Sequence, residues 1–227
     1  MSLSKVIEIA LGELGKTEFP KGSNLTEFGE RFGMNGVPWC VIFLWDVFNR
    51  AGERMAFYNG GKTASCKTLL RCYKEEGKTA PITDIQIGDI LILNFSGKKI
   101  DGELDTEHCA LVVEKGKLAG TWYTVEGNTS PGLEGSQDNG GCVAKKLRHV
   151  KNVVAVCRPQ YKAEEPDPAD DITGHWYTDD VRWCIAQGLI KCYPDGSFRP
   201  DQPVTRSEFA VVLRRFYNLI HGEDDLK

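Results

Sequence analysis

The chain has 227 residues and a formal net charge of −4, which is enough length for one large domain or an ordinary domain plus a small module. Hydrophobic residues make up 41% and charged residues 26%, a globular composition that excludes a disordered chain. Residues 1–159 carry 20 Lys and Arg against 19 Asp and Glu, and residues 160–227 carry 8 against 13. Neither part has the dense basic face that binds phosphate backbones, so we expect no nucleic-acid partner.

The apolar pattern argues against a membrane span and against a secretory signal. The strongest apolar run, from Val41 to Trp45, ends at Asp46 and is far shorter than the ~18 residues of a span. The first twelve residues contain Lys5 and Glu8 and have no long apolar h-region. We therefore expect synthesis in the cytoplasm without a signal peptide.

The eight cysteines give no sign of a metal site in the sequence. They form no CxxC pair, and most are expected to be reduced, small core residues. The acidic loop DGELDTE, residues 101–107, lacks the glycine at the sixth position and the glutamate at the last position of an EF-hand loop and is interpreted as solvated. The sequence predicts neither a metal nor a cofactor.

Helical patterns come first along the chain. Residues 4–15 repeat apolar side chains at helical spacing, and Pro38 opens a second helical pattern that Gly52 closes. Because this second pattern is apolar on nearly every side, it predicts a helix at the centre of its domain. A third, short helix is predicted around Cys66 to Tyr73.

Strand patterns follow from Ile87 onward, in the segments ILILNF, HCALVVE, TWYTVEG, VAKKLRHV and NVVAVCRP. Helices followed by strands predict an α+β domain with an antiparallel sheet. The segment PQYKAEEPDPADD reads as a linker, and helical patterns at about 176–188 and 205–219 form a second module around the turn YPDGSF. The predicted organisation is a catalytic domain at 1–159, a linker at 160–170 and a module at 171–227.

Three or four residues have the types and order of a nucleophile, a base and an orienting group. Cys40 lies at the start of the Pro38 helix, where free N–H groups favour a thiolate. His108 begins an apolar strand and could serve as its base. Glu126 and Asn128 end the next β-segment, and because residues two apart on a strand face the same side, either could orient the imidazole.

These residues resemble the CHAP family, the cysteine, histidine-dependent amidohydrolases/peptidases of bacterial cell walls. The resemblance covers about Ser4 to Pro159 and rests on GSNLTEFGERFGMNGVPWCVIF, GDILIL, EHCALVVE and VEGN. It implies a papain-like fold and catalytic residues Cys40, His108, Glu126 and Asn128. It also implies hydrolysis of an amide in peptidoglycan, by an N-acetylmuramoyl-L-alanine amidase or an endopeptidase.

The second module resembles a single S-layer homology (SLH) domain through DITGHWY, GLIKCYPDGSFRP and VTRSEF. The resemblance implies binding of secondary cell-wall polysaccharide, with Asp171, Trp176, Arg206 and Glu208 as candidate ligand residues. Arg206 could pair with a carboxylate on the sugar. Trp176 has the alternative role of a core residue, and Arg206 that of a helix-capping residue.

The sequence therefore predicts an endolysin-type hydrolase that acts at the bacterial wall after release and is anchored there by the SLH module. The alternatives are a host autolysin, an NlpC-type wall peptidase or a wall-anchoring protein without catalysis. Apolar residues such as Leu189, Phe209 and Leu213 exceed what two short helices easily bury, which favours self-association through the module.

Overall fold

The computed structural model describes residues 3–133, 140–161 and 170–221. The chain divides into two compact units, residues 1–163 and 164–227. The central part of the predicted linker, residues 162–169, lies outside the described residues. None of the helices described in either unit combines the length and the apolar character that crossing a membrane requires.

The helices of the first unit precede most of its strands, as the sequence predicts. They are α1 (Leu3–Gly12), α2 (Glu27–Phe32), α3 (Cys40–Arg50), α4 (Arg54–Tyr58) and α5 (Cys66–Glu75). Local capping sets two of these boundaries: Thr26 accepts a hydrogen bond from the Gly29 N–H at the start of α2, and Ser65 accepts one from the Thr68 N–H at the start of α5.

The strands form a six-stranded antiparallel sheet and a small hairpin. Their bounds are β1 (Thr79–Ala80), β2 (Ile90–Leu93), β3 (Lys99–Ile100), β4 (Glu103–Leu104), β5 (His108–Lys115), β6 (Thr121–Thr129), β7 (Cys142–His149) and β8 (Val153–Cys157). The sheet order is β1-β8-β2-β5-β6-β7, and β3 pairs with β4 alone. The predicted α+β class with an antiparallel sheet is confirmed.

Helix α3 is the central helix of the first unit. All its residues from Cys40 to Phe48 are buried, which agrees with an apolar pattern that has no polar face. The one charge within this run, Asp46, is fully buried and accepts two hydrogen bonds from the Arg31 guanidinium, at 2.7 and 3.0 Å. This bidentate pairing offsets the cost of burying the carboxylate.

The approach of α3 to β6 depends on a glycine. A Cβ at Gly127 would lie 2.5 Å from the Phe43 Cβ and 2.8 Å from the Trp39 Cζ3. Trp39 and Phe43 are themselves fixed by Phe28, whose ring stacks on Trp39 at 5.6 Å and meets Phe43 edge-on at 5.2 Å. The start of α3 therefore packs directly against the backbone of β6, next to Glu126.

The second unit contains α6 (Thr178–Ala186) and α7 (Arg206–His221), close to the two predicted helical patterns. Ile172 and Leu189 are its buried apolar residues among those described. Leu189 is thus accommodated, whereas Phe209 and Leu213 on α7 remain about half exposed. Association between copies of the chain stays a prediction, which light scattering on the full chain tests.

We expect Gly127→Ala to destabilise the first unit by about 1–3 kcal/mol, because the new methyl group must displace Phe43 or the β6 backbone. Gly12→Ala is the matched control, since a Cβ at the end of α1 meets nothing within 4 Å. Calorimetric melting of the full chain compares the two. Equal melting temperatures for both variants would contradict the close packing of α3 on β6.

Candidate functional site

Cys40 is the first residue of α3 and lies where the central helix meets the sheet. Trp39 precedes it in a non-helical conformation and makes no side-chain capping bond, while its carbonyl accepts the first helical bond from the Phe43 N–H. Cys40 therefore lies at the end of α3 where the backbone N–H groups of the first turn have no helical partner. The positive end of the helix dipole there favours a thiolate at Cys40. The residue is 6% exposed, so this thiolate is largely shielded from water.

His108 begins β5 and lies beside both Cys40 and Glu126. Its Nε2 is 3.0 Å from the Glu126 Oε2, which leaves Nδ1 as the ring nitrogen for Cys40. Burial lowers the pKa of His108, but its hydrogen bonds to Cys40 and Glu126 outweigh burial and raise that pKa to about 9. The imidazole therefore tends to carry its proton at neutral pH.

The pKa of Cys40 moves in the opposite direction. Hydrogen bonds from the Cys109 and Cys66 thiols, together with His108, hold the pKa of Cys40 well below its usual value despite burial. A lowered thiol pKa beside a raised imidazole pKa is the signature of a thiolate–imidazolium pair. This arrangement offers a nucleophile and a proton donor side by side.

Glu126 is fully buried and is held by a second cation that the sequence analysis missed. Arg148, on β7, donates from Nε to Oε1 at 2.7 Å and from Nη2 to Oε2 at 2.6 Å, while the Thr124 hydroxyl donates to Oε1 at 2.6 Å. Burial raises the pKa of Glu126, but Arg148 and then His108 lower it to about 2. The carboxylate is therefore ionised at neutral pH.

A pattern in the sequence could have pointed to Arg148. The strand segment VAKKLRHV places Lys146 and Arg148 two residues apart, on the same side of β7, and both are buried. A buried basic residue on a strand next to a buried acid is most simply explained as its counter-ion. The pairing of β6 with β7, which sets Thr124 opposite Lys146 and Trp122 opposite Arg148, brings these charges together.

The regular strand alternation on which the expectation for Glu126 and Asn128 rests is interrupted in the structure. Between the pairs Glu126–Ala144 and Thr129–Cys142, β6 has one residue more than β7, which is a β-bulge. Asn128 lies in this bulge with a φ of 56° and is buried. The bulge interrupts the alternation of side chains between the two faces of β6, so the backbone conformation at Asn128 differs from that at Glu126. Glu126 is the residue that makes the hydrogen bond to His108.

Two further cysteines surround Cys40, and their spacing in the sequence gave no hint of it. Cys66 is the first residue of α5, and its Sγ lies 3.8 Å from the Cys40 Sγ. Cys109 follows His108 on β5 and packs in the core between the sheet and the helices. The three sulfur atoms all lie within 4.8 Å of one another.

In the acidic loop of residues 101–107, the Glu107 carboxylate stabilises a neighbouring turn. Glu107 accepts a hydrogen bond from the Phe95 N–H at 2.6 Å and from the Ser96 N–H at 3.2 Å. These bonds lower the pKa of Glu107, whose burial alone would raise it. Glu107 thereby holds the turn after β2 against the start of β5.

In the second unit, two of the four candidate ligand residues are engaged in local structure. Asp171 accepts hydrogen bonds from the Phe198 N–H at 2.9 Å and the Arg199 N–H at 2.6 Å. Glu208 accepts from the Thr205 N–H at 2.8 Å while its own N–H donates to the Thr205 hydroxyl at 3.2 Å, a capping box at the start of α7. Their part in ligand binding stays a prediction.

The other two candidates are exposed. Arg206 is the first residue of α7, and Trp176 is 90% exposed, so the alternative that Trp176 packs in a core is wrong. Neither lines the cavity of about 560 Å³ in this unit. That cavity presents three cations that the sequence analysis did not single out, Lys191, Arg199 and Arg215.

Comparison with known proteins identifies the second unit. Residues 170–210 match the model of the S-layer homology domain. The chain is 40% identical over 65 residues to cell surface glycoprotein 1 of Acetivibrio thermocellus, covering 28% of this chain and 3% of that protein. It is 36% identical over 69 residues to the outer membrane protein SlpA of Deinococcus radiodurans, covering 30% and 6%. A cellulosome-anchoring protein of Acetivibrio thermocellus is 43% identical over 42 residues, covering 18% and 9%.

The chain also has a distant structural likeness to one solved structure. The crystal structure of a wild-type endolysin, LysIME-EF1, superposes with a TM-score of 0.43 at 20% identity, covering 72% of this chain and 66% of that one. A TM-score below 0.5 carries no argument about fold or function. The chain spans less than a tenth of the length of the three curated relatives. What the comparisons establish is an S-layer homology domain at residues 170–210.

Proposed function

We propose that the chain is a cysteine hydrolase of bacterial peptidoglycan, of the CHAP and endolysin type, that the SLH domain attaches to the cell wall. The observation that carries this proposal is the buried series of contacts from Cys40 through His108 to Glu126. A thiolate, a protonated imidazole and an orienting carboxylate are the parts that acyl transfer needs. The sequence resemblance to the CHAP family supplies the substrate class.

In the proposed reaction, the Cys40 thiolate attacks the carbonyl carbon of the scissile amide. The tetrahedral intermediate carries its negative charge on oxygen, and the Cys40 backbone N–H at the start of α3 donates to that oxygen. Collapse breaks the C–N bond as His108 gives its proton to the leaving amine, and a thioester on Cys40 remains. His108 then takes a proton from water, whose oxygen attacks the thioester and regenerates the thiolate.

Glu126 positions His108 in this reaction and stabilises its charged form. The carboxylate fixes Nε2 as a donor, so that Nδ1 faces Cys40. Arg148 and Thr124 in turn fix the carboxylate, so its orientation does not depend on the imidazole. Asn128 is a supporting residue whose bulged backbone shapes the same end of β6.

The SLH domain supplies attachment in this proposal. SLH domains bind secondary cell-wall polymers, and the three relatives that match this part of the chain are surface, outer-membrane or anchoring proteins. The cations at the cavity and the exposed Arg206 suit an anionic polysaccharide. Anchoring at the wall would keep the catalytic unit beside its substrate and raise its effective concentration there.

We expect Cys40→Ala and Cys40→Ser to lose nearly all release of soluble fragments from purified Gram-positive cell walls, because Cys40 is the residue that forms the thioester in the proposed reaction. Cys72→Ala is the matched control, since the Cys72 thiol contacts Glu76 instead of the site. Mass spectrometry of the fragments assigns the bond that is cut. If the wild-type chain bound walls and released nothing, the protein would be a wall-anchoring protein without catalysis.

We expect Glu126→Gln to slow hydrolysis by at least about tenfold, and more than Asn128→Ala does, because Glu126 is a charged group that contacts the imidazole and Asn128 is neutral. Loss of that charge lowers the pKa of His108, so the alkaline limb of the pH–rate profile should move to lower pH. A damaged fold alone would reduce the rate without moving this limb. A larger defect in Asn128→Ala would make Asn128 the principal orienting residue.

We expect Arg206→Ala to weaken binding of the full chain to walls that carry their secondary polysaccharide by about tenfold, the worth of one charged hydrogen bond. Arg214→Ala is the control, because Arg214 is also an exposed arginine of α7. Co-sedimentation with walls measures both variants. Equal binding by both would remove Arg206 from the ligand site.

A further inference from the structure

The three thiols around the start of α3 form a cluster that the proposed reaction does not require. Only the Cys40 sulfur forms a covalent bond in acyl transfer, and a single hydrogen-bond donor would serve to stabilise its thiolate, but Cys66 and Cys109 place two sulfur atoms within 4.8 Å of it and of each other. All three residues are buried, at 6%, 7% and 0% exposure in chain order. They come from three separate elements, the first residue of α3, the first residue of α5 and the second residue of β5.

The spacing of these sulfur atoms matches the geometry of a metal–thiolate site. A tetrahedral ion with metal–sulfur bonds of about 2.3 Å holds two sulfur atoms about 3.8 Å apart. The Cys40 and Cys66 sulfur atoms are 3.8 Å apart without any ion present. The Cys109 sulfur needs to move by about 1 Å at most to reach the same separation, which is within the adjustment of side-chain torsions.

The chemistry of the donors selects the ion. Three thiolates are soft ligands that favour Zn²⁺, Cd²⁺ or Cu⁺ over the hard ions Ca²⁺ and Mg²⁺, which take oxygen ligands. Two helix N-termini meet at the cluster, and their positive ends offset part of the negative charge that three thiolates bring. Among the described residues, these three are the one group of His, Cys, Asp or Glu side chains close enough together to hold an ion.

We propose that Cys40, Cys66 and Cys109 bind one soft metal ion, and that the bound ion switches the hydrolase off by occupying its nucleophile. Binding of a divalent ion releases one proton from each thiol still protonated and involves no oxidation. A sulfur lone pair shared with the metal is no longer available to attack a carbonyl carbon. The binding itself is independent of the proposed function, whereas the inhibition rests on it.

The binding is tested on the full chain with Cd²⁺ as the probe, in a phosphine reductant that keeps all thiols reduced. The cadmium–thiolate charge-transfer band should rise to a plateau at one equivalent of metal. Cys66→Ala and Cys109→Ser should each lose about one third of the band, because one of three sulfur donors is gone. Cys72→Ala should keep the whole band, since Cys72 lies outside the cluster.

A second experiment tests whether the bound ion protects Cys40 from a thiol reagent. Zn²⁺ at one equivalent should slow alkylation of Cys40 by iodoacetamide, read by mass spectrometry of the Cys40 peptide, and EDTA should restore the rate. The same Zn²⁺ should suppress wall lysis in the wild type, and should do so less in Cys66→Ala when each protein is compared with its own metal-free rate.

The outcomes separate the two proposals. No plateau at one equivalent, or an unchanged band in Cys66→Ala and Cys109→Ser when both variants are folded, would overturn the metal site. A cadmium band together with protection of Cys40, in a chain that never lyses walls, would uphold the site and reject the hydrolase. Lysis that persists in the zinc-loaded wild type would reject the inhibitory role.

Discussion

The buried charge of Glu126 is the constraint on which the structure of the first unit depends. A carboxylate with no exposure to water is tolerated only where cations and donors replace its hydration, and Arg148, His108 and Thr124 do this together. Two of these partners are on strands adjacent to β6 and one is on β6 itself, so the pairing of β5, β6 and β7 is required before the carboxylate is satisfied. The sheet and the site are therefore stabilised by the same contacts.

The position of Cys40 depends on the packing of α3 against that sheet. Gly127 lets Phe43 and Trp39 approach the β6 backbone directly, one residue after Glu126. The positions of Cys40 at the start of α3 and of the carboxylate on β6 are thus linked through the packing of Phe43 and Trp39 against Gly127. The Arg31–Asp46 pair allows a charge within α3 without separating the helix from the core. Precise placement of a thiol beside an imidazole follows from core packing rather than from a flexible loop.

The parts of the fold and the site that sequence predicted are those that local patterns determine. Apolar periodicity located α3 and the strands β2, β5, β6, β7 and β8, and residue type with chain order selected Cys40, His108 and Glu126. The bulge at Asn128 was missed because an extra residue in one strand leaves no mark on its alternation. Arg148, Cys66 and Cys109 were missed because their roles arise from strand pairing and helix packing between distant parts of the chain. Trp176 was misjudged as a core residue because an aromatic side chain alone does not reveal whether its surroundings are buried.

The groups proposed to activate Cys40 would also make it a ligand for soft metal ions. A buried thiol becomes a thiolate only if donors compensate its charge, and here the first of those donors are two other thiols. A hydroxyl or an amide at position 66 or 109 could donate to the thiolate without binding a soft metal. With sulfur at both positions, each group that stabilises the nucleophile is also a ligand for the ions that would block it. In the proposed hydrolase, activation of the Cys40 thiolate and its inhibition by a bound metal ion would therefore be linked, and substitution of Cys66 or Cys109 would separate the two.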